Sequence, residues 1–268
     1  MASMEYLFDH LDGIEEQMGY RKPIMLLDYD GTLTPIVQSP DLAVLGEGML
    51  SVLTRLRDNQ RFVIGVISGR SLSDVKSKVE LDGIWYAGNH GMEIEYQDDV
   101  FVHPQARRSM PLISRICSRI KPLLVGYEGA LIEDKGLTAS VHYRMVAEHD
   151  IPEVKRVVES AIRPFSENGE ILLTHGKMVL EIRPNVRWDK GRAVLWLLKT
   201  MGAGFSDEYL VVYVGDDRTD EDAFEVVRGR GIAVMVSSED VESKAEYVLS
   251  SVDDVQEFLD CVANLPEE

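Results

Sequence analysis

The stretch PIMLLDYDGTL, residues 23–33, decides how this chain is read. An apolar run stops abruptly at two aspartates, Asp28 and Asp30, followed by Gly31-Thr32. Residues 24–28 lack polar alternation, which predicts a strand buried on both faces. Two like charges at the end of such a strand repel unless a cation sits between them.

Working outward, the pattern alternates. A helix is predicted from Gly48 to Asn59, with Leu50, Leu53 and Leu56 on one face. FVIGVISGR (62–70) reads as a second buried strand, Ser71–Val79 as a helix capped by Ser71 or Ser73, and IWYAG (84–88) as a third strand. MEIEY (92–96) alternates like a hairpin strand. Strand-helix alternation of this kind predicts a parallel sheet. From about residue 105 the rhythm becomes helix-strand-strand, given twice: helices near 106–124 and 152–164, strands near 129–133, 137–143, 170–174 and 178–182. Such a unit builds a small antiparallel sheet backed by two helices. The first rhythm then returns, with a helix over 190–201, strands at 209–215 and 231–236, and helices near 219–228 and 252–263. The expected architecture is α/β: a Rossmann-like parallel-sheet core over 1–104 and 185–268, interrupted by an α/β insertion over 105–184. The segment 1–20 reads as an acidic amphipathic helix and not as a signal peptide.

The totals narrow the function. A formal net charge of −18 excludes general nucleic-acid binding, which needs a basic face. No apolar run is long enough to span a bilayer. The two cysteines, Cys117 and Cys261, lack metal-ligand spacing, and Cys117 falls in a helical pattern with Ile113, Ile116 and Ile120. Reduced thiols and a cytoplasmic location are expected. The charge is uneven: residues 105–192 hold 15 Lys+Arg against 11 Asp+Glu, so the excess acid lies elsewhere.

Ligands of open parallel sheets sit at the carboxyl ends of the strands. Four polar clusters fall at such places: Asp28 with Asp30, Ser68-Gly69-Arg70, Lys190, and Asp216 with Asp217. Several carboxylates at neighbouring strand ends supply the hard oxygens that Mg²⁺ prefers.

These residues carry a resemblance. DYDGT resembles the DxDGT signature of the haloacid dehalogenase superfamily, and ISGR, the lysine at 190 and GDDRTDEDAF match its other motifs in order. LLDYDGTLTPIV, VISGRSLSDVKSKV, YAGNHGMEI, EDKGLTASVHYR, GKMVLEIRPNVRWDKGRAVLWLL and YVGDDRTDEDAF together resemble the trehalose-6-phosphate phosphatases, across most of residues 24–224. The stretches within the insertion are the specific part. The resemblance implies a core of the haloacid dehalogenase type with the insertion as a cap. It also implies Mg²⁺-dependent hydrolysis of trehalose 6-phosphate, the last step of trehalose biosynthesis, through an aspartyl-phosphate.

The same resemblance assigns roles. Asp28 would be the nucleophile and Asp30 the general acid/base. Gly31 would permit a turn that aims backbone N–H groups at phosphate, with Thr32 and Ser68 adding hydroxyls. Lys190 would neutralise the nucleophile and the phosphoryl oxygens. Asp28, the Asp30 carbonyl, Asp216 and Asp217 would hold Mg²⁺, with Asp220 in support. Glu221 and Asp222 read instead as charge at a helix N-terminus. Glu133, Lys135, Arg144, Lys177 and Glu181 would face the sugar. Arg70, Asn89 and His90 would line the substrate site, with Arg70 at its entrance. Val179 departs from a polar residue that some relatives carry. His142 is expected to pack beside Arg144, Trp188 and Trp196 to fill core or hinge, and Met145, Met178 and Met201 to fill gaps.

Other readings stay open on the residues alone. One is a phosphatase of sucrose phosphate or a hexose phosphate. Others are a phosphohexomutase and a non-catalytic sugar-phosphate sensor. The expected partner is a small sugar phosphate, together with a possible separate synthase chain; no nucleic acid and no membrane are expected.

Overall fold

The apolar run at 24–27 is continuous because both of its faces are covered. The computed structural model describes residues 4–265. In chain order it contains β1 (Glu5–Tyr6), α1 (Leu11–Tyr20), β2 (Lys22–Leu27), α2 (Glu47–Asp58), β3 (Val63–Ile67), α3 (Leu72–Val79), β4 (Trp85–Gly88), β5 (Glu93–Tyr96) and β6 (Asp99–Val102). There follow α4 (Pro104–Ile120), β7 (Leu131–Asp134), β8 (Ala139–His142), α5 (Ile151–Glu167), β9 (Ile171–Gly176) and β10 (Val179–Pro184). The chain ends with α6 (Lys190–Thr200), β11 (Tyr209–Gly215), α7 (Glu221–Val227), β12 (Ile232–Val236), β13 (Tyr247–Leu249) and α8 (Val252–Ala263). It forms two compact units: one from the described residues up to Val37, Asp41–Phe101 and Trp188 onward, the other from Val102–Arg187 with Gln38–Pro40.

The larger unit is built on a nine-stranded sheet in the order β1-β13-β12-β11-β2-β3-β4-β5-β6. β2 pairs in parallel with β11 on one side and β3 on the other, and β4 pairs with β5 antiparallel. Met25 and Leu27 enter one core with Met49, Val52, Leu53 and Leu56 of α2 and with Val255, Phe258, Leu259 and Val262 of α8. Ile24 and Leu26 enter the opposite core with Val194, Leu197 and Leu198 of α6 and Phe224 of α7. The helical residues recur at three- and four-residue intervals, the stripe an amphipathic helix needs. Truncating Leu26 to alanine in such a layer costs about 2–5 kcal/mol. Ser71 caps α3 by accepting from the Asp74 N–H, a bond of about 1 kcal/mol.

The smaller unit is a four-stranded antiparallel sheet, β7-β8-β10-β9. Alternate residues Ala139, Val141, Leu180 and Ile182 are buried against Ile113, Ile116 and Ile120 of α4 and Val154, Val158 and Ile162 of α5. Strand alternation therefore turns Glu133, Ser140, His142 and Glu181 to the other face.

Three expectations change. The segment 1–20 is not one helix: β1 pairs in parallel with β13, a short 3₁₀ turn covers Leu7–His10, and α1 starts only at Leu11. The part of that expectation over residues 1–3 lies outside the described residues. Leu7, Ile14 and Met18 are fully inside the core, so this segment is part of the sheet layer. β6 and β13 were not foreseen: β6 shows no alternation of buried and exposed residues, and β13 has only three residues to carry a period. Met145 and Met178 are exposed and fill no gap; Met178 sits in a tight turn at φ 65° between β9 and β10.

Candidate active site

Three neighbouring strands end together. β11, β2 and β3 lie side by side, and the Asp28 N–H donates to the Val214 carbonyl at 2.9 Å. Asp28 follows β2, Ser68 follows β3 and Asp216 follows β11. The chain order reverses here, with β3 and β4 on one side of β2 and β11 and β12 on the other. A crevice forms at such a switch point. Beyond Asp28 the backbone turns sharply, the Tyr29 carbonyl accepting from Leu33 and Thr34 while the Gly31 N–H donates to Thr34 at 2.7 Å. Gly31 has φ +85°, and a Cβ there would lie 2.1 Å from Asp216 Oδ2. Only glycine permits both the turn and the approach of that carboxylate. Thr32 is fully buried, and its hydroxyl has no hydrogen-bond partner among the described residues.

Lys190 opens α6 and reaches into this group. Its Nζ donates to Asp28 Oδ1 at 2.8 Å and to Asp220 Oδ1 at 2.6 Å, with the lysine side chain only 2% exposed. Asp220 also accepts from the Tyr213 hydroxyl at 2.6 Å and, through Oδ2, from the Asp217 N–H at 3.0 Å. Carboxylate oxygens of Asp28, Asp216 and Asp220 lie within 4.8 Å of one another. Three ionised carboxylates around one ammonium leave a surplus of negative charge. Burial pushes the Asp28 carboxyl well above the usual range, with Lys190 opposing and Asp220 and Asp216 adding to the rise. Burial pulls Lys190 down, but Asp220 and Asp28 outweigh it and hold the ammonium charged. Burial and the Asp220 charge raise the Tyr213 phenol well above its ordinary value, so it stays a donor.

Asp30 has a different partner. Arg70 grips it with a two-pronged fork, Nε to Oδ2 and Nη2 to Oδ1, both at 2.7 Å. The remaining Arg70 Nη1 donates to Asp74 at 2.6 Å, and the guanidinium lies over the Tyr29 ring. Burial lowers the Arg70 pKa, but the bonds to Asp30 and Asp74 more than offset it. Asn89 and His90 bind the same loop: the Asn89 N–H donates to the Arg70 carbonyl at 2.6 Å and the His90 N–H to the Ser68 carbonyl at 2.8 Å. Both carry left-handed backbone, φ 49° and 56°. A Cβ at Gly69 would lie 2.8 Å from the His90 ring. Glu93 fixes the turn, accepting from Asn89 Nδ2 at 2.5 Å and from the Leu72 N–H at 3.1 Å.

Among the residues singled out in the sequence, Asp28, Lys190, Asp216 and Asp220 form one group, and Asp30 and Arg70 a second. The oxygen beside Asp28 and Asp216 comes from Asp220; the Asp217 side chain instead accepts from the Arg218 N–H and caps the short turn Arg218–Asp220. Glu221 is engaged too, accepting from the Ser243 hydroxyl and the Lys244 N–H. Glu133, Lys135, Arg144, Lys177 and Glu181 belong to the smaller unit. There Lys135 Nζ lies 4.0 Å from Glu133, and Arg144 donates to the Lys177 carbonyl at 2.8 Å. Glu133 and Glu181 stand across Ser140 from either side. His142 Nε2 meets Glu133 Oε2 at 2.9 Å. Tyr213, Asp74 and Glu93 were not anticipated. Tyr213 had a signal in YLVVYVG, as a hydroxyl inside a buried run.

A mostly parallel sheet in this strand order, with acids grouped at its strand ends, has the fold of haloacid dehalogenase-like proteins. One such protein, a hydrolase from Bacteroides thetaiotaomicron, shares the fold at TM-score 0.63 and 15% identity, over 90% of this chain and 100% of that one. The C-terminal domain of trehalose-6-phosphate phosphatase from C. albicans matches at TM-score 0.83 and 21% identity, over 99% of both chains. The family model for trehalose-phosphatase matches residues 26–256. Trehalose 6-phosphate phosphatase RA3 of Zea mays is 39% identical over 256 residues, 90% of this chain and 70% of that protein. Trehalose-phosphate phosphatase B of Arabidopsis thaliana is 38% identical over 248 residues, 88% of this chain and 65% of that protein. The chain belongs to the trehalose-phosphatase family, whose members are phosphoric monoester hydrolases. It spans about two thirds of the length of these curated relatives.

Proposed function

We propose that this protein hydrolyses trehalose 6-phosphate to trehalose and phosphate through an aspartyl-phosphate on Asp28. The observation that carries the chemistry is the buried Lys190, bonded to Asp28 and Asp220 beside Asp216. A divalent cation fits this group. The donors are hard oxygens grouped just beyond β2 and β11, and burial, with the charges of Asp220 and Asp216 adding to it, disfavours the ionised Asp28 without one. Asp28 and Asp216 would hold Mg²⁺, with Asp220 behind them. When bound, Mg²⁺ supplies positive charge at the phosphoryl oxygens and keeps the nucleophile ionised.

The residues then divide the work. An oxygen of Asp28 attacks phosphorus, and the bond from phosphorus to the sugar oxygen breaks. Lys190 orients that oxygen and offsets the charge spreading over the phosphoryl group. Thr32, buried with an unpartnered hydroxyl, would donate to a phosphoryl oxygen. Asp30 donates its proton to the departing sugar oxygen. It then takes a proton from the water that attacks the aspartyl-phosphate, releasing phosphate and free Asp28. Arg70 holds Asp30 and is held in turn by Asp74, so its role is to place the acid/base and not to bind phosphate. The polar face of the four-stranded sheet, with Glu133, Lys135, Glu181 and the neighbouring Arg144 and Lys177, would read the sugar. No helix among the described residues is long and apolar enough to cross a membrane.

The test is phosphate release from trehalose 6-phosphate, sucrose 6-phosphate, glucose 6-phosphate and mannose 6-phosphate, each with Mg²⁺ or EDTA. A strong Mg²⁺-dependent preference for trehalose 6-phosphate is expected. Equal hydrolysis of all four would keep the chemistry and discard the sugar. No hydrolysis by folded protein would discard both.

A further inference from the structure

The polar face of the smaller sheet is organised in rows across its strands. One row is Glu133, Ser140, Glu181 and Thr174, from β7, β8, β10 and β9. Every member can hydrogen-bond. The next row is Leu131, His142, Val179 and Gly176. There the imidazole is the one side chain able to do so. His142 thus carries the polar surface of the first row into an otherwise apolar second row.

Its contact fixes its chemistry. His142 Nε2 lies 2.9 Å from Glu133 Oε2, across the diagonal between the rows. An ionised carboxylate only accepts, so Nε2–H is the donor in this contact, and in the neutral form of the ring Nδ1 is left as an acceptor. Nδ1 has no hydrogen-bond partner among the described residues. The imidazole and Glu133 side chains are 22% and 28% exposed, sheltered enough to hold one geometry yet open to a ligand. Lys135, with its side chain only 7% exposed and its Nζ 4.0 Å from the same Glu133 oxygen, restrains that carboxylate further. An imidazole acceptor fixed beside a carboxylate matches a ligand that presents hydroxyl donors, as a sugar does, and offers nothing to a bare aryl group.

We propose that His142 is a specificity-determining residue for the leaving group, orienting Glu133 through Nε2–H and accepting a sugar hydroxyl at Nδ1. This rests on the reading of the polar face as the sugar-binding surface. Neither the imidazole nor its pairing was among the residues expected to face the sugar.

The experiment compares kcat/KM for trehalose 6-phosphate with that for p-nitrophenyl phosphate, in the full chain with Mg²⁺, for wild type, His142→Phe and His142→Gln. Losing one or two hydrogen bonds to a ligand weakens binding about 3- to 30-fold. The ratio of the two substrates should fall by about that factor in His142→Phe, mainly through KM for the sugar substrate. His142→Gln, whose amide can still donate to Glu133, should recover part of the loss. Inhibition by trehalose should weaken in the same order. A ratio within about twofold of wild type in a folded His142→Phe would overturn the proposal. So would an equal loss on both substrates, or no recovery in His142→Gln, since either assigns the ring a packing role. A wild type with no preference for trehalose 6-phosphate would instead overturn the sugar-binding reading itself, and this inference with it.

Discussion

Asp28 and Asp30, two residues apart, are each bound by a different cation. Lys190 Nζ lies 2.8 Å from Asp28, and the Arg70 fork closes on Asp30 at 2.7 Å twice. Their mutual repulsion is therefore relieved without an ion between them. The unrelieved charge lies elsewhere, where Asp28, Asp216 and Asp220 share one lysine. The two carboxylates also differ in surroundings. Asp28 is almost wholly buried, while the Asp30 side chain is 40% exposed. In the proposed reaction, a nucleophile shielded from water beside an acid/base that water can reach suits an outcome of hydrolysis.

Asp28→Asn should abolish turnover by at least about 10³-fold, because an amide neither attacks phosphorus nor leaves it readily. The fold should survive, since the change removes a buried charge from a crowded acidic group. Steady-state phosphate release and thermal unfolding measure the two effects. Appreciable turnover in this variant would move the nucleophile to another residue.

Arg70→Ala should lower kcat by about 10- to 100-fold, a part of what positioned acid/base catalysis supplies. It removes both prongs from Asp30 and leaves Asp30 and Asp74 without the cation between them. Arg70→Lys should rescue little, because an ammonium cannot reproduce the two-pronged geometry. If Arg70 bound phosphate instead, the loss would appear in KM for every phosphate ester tested.

Gly31→Ala should cost Mg²⁺ affinity more than it costs the fold. A methyl group there meets the Asp216 carboxylate at 2.1 Å, and φ +85° strains any residue with a Cβ. Asp216 has to move, while the hydrophobic cores on either side of the sheet are untouched. Titration of activity with Mg²⁺ should show the midpoint moving up at least about tenfold, the range seen when groups supporting a metal ligand are disturbed. An unchanged midpoint would remove Asp216 from the metal site.

The parallel core was legible because its strands are apolar runs that end in charge. β11 was placed without error and β2 and β3 nearly so, since burial on both faces leaves a continuous apolar signature. The acids at strand ends were legible for the same reason. What could not be seen was the pairing. Sequence spacing puts Asp217 beside Asp216 and hides that Asp220 folds back, through a turn capped by Asp217, to meet Lys190. Nor does it show that Arg70 serves Asp30, forty residues away, or that His142 reaches diagonally across the β7–β8 pair to Glu133, because spacing alone does not give these contacts. β1 and β13 were lost because two or three residues carry no period.

The metal-free protein should become more stable as pH falls through the raised value of the Asp28 carboxyl, and Mg²⁺ should cancel that trend. The Asp28 carboxyl is raised well above its ordinary value by burial, with Asp220 and Asp216 contributing. A carboxylate raised in the folded state binds a proton before its unfolded counterpart does. Its penalty is full above the raised value, shrinks as pH falls through it, and vanishes below the ordinary carboxylate range. Within that window one such group changes stability by up to about 1.4 kcal/mol per pH unit. For a chain of this size that is a few degrees, roughly 2–4 °C per kcal/mol, in the unfolding midpoint. A bound divalent cation favours the ionised form and removes the penalty, so Mg²⁺ should raise the midpoint more above the raised value than below it. The many other acidic groups also gain from protonation, and Asp28→Asn separates the two contributions. Its metal-free midpoint should vary less with pH than that of wild type. Identical slopes in the two proteins would show that Asp28 is not the group held against its charge.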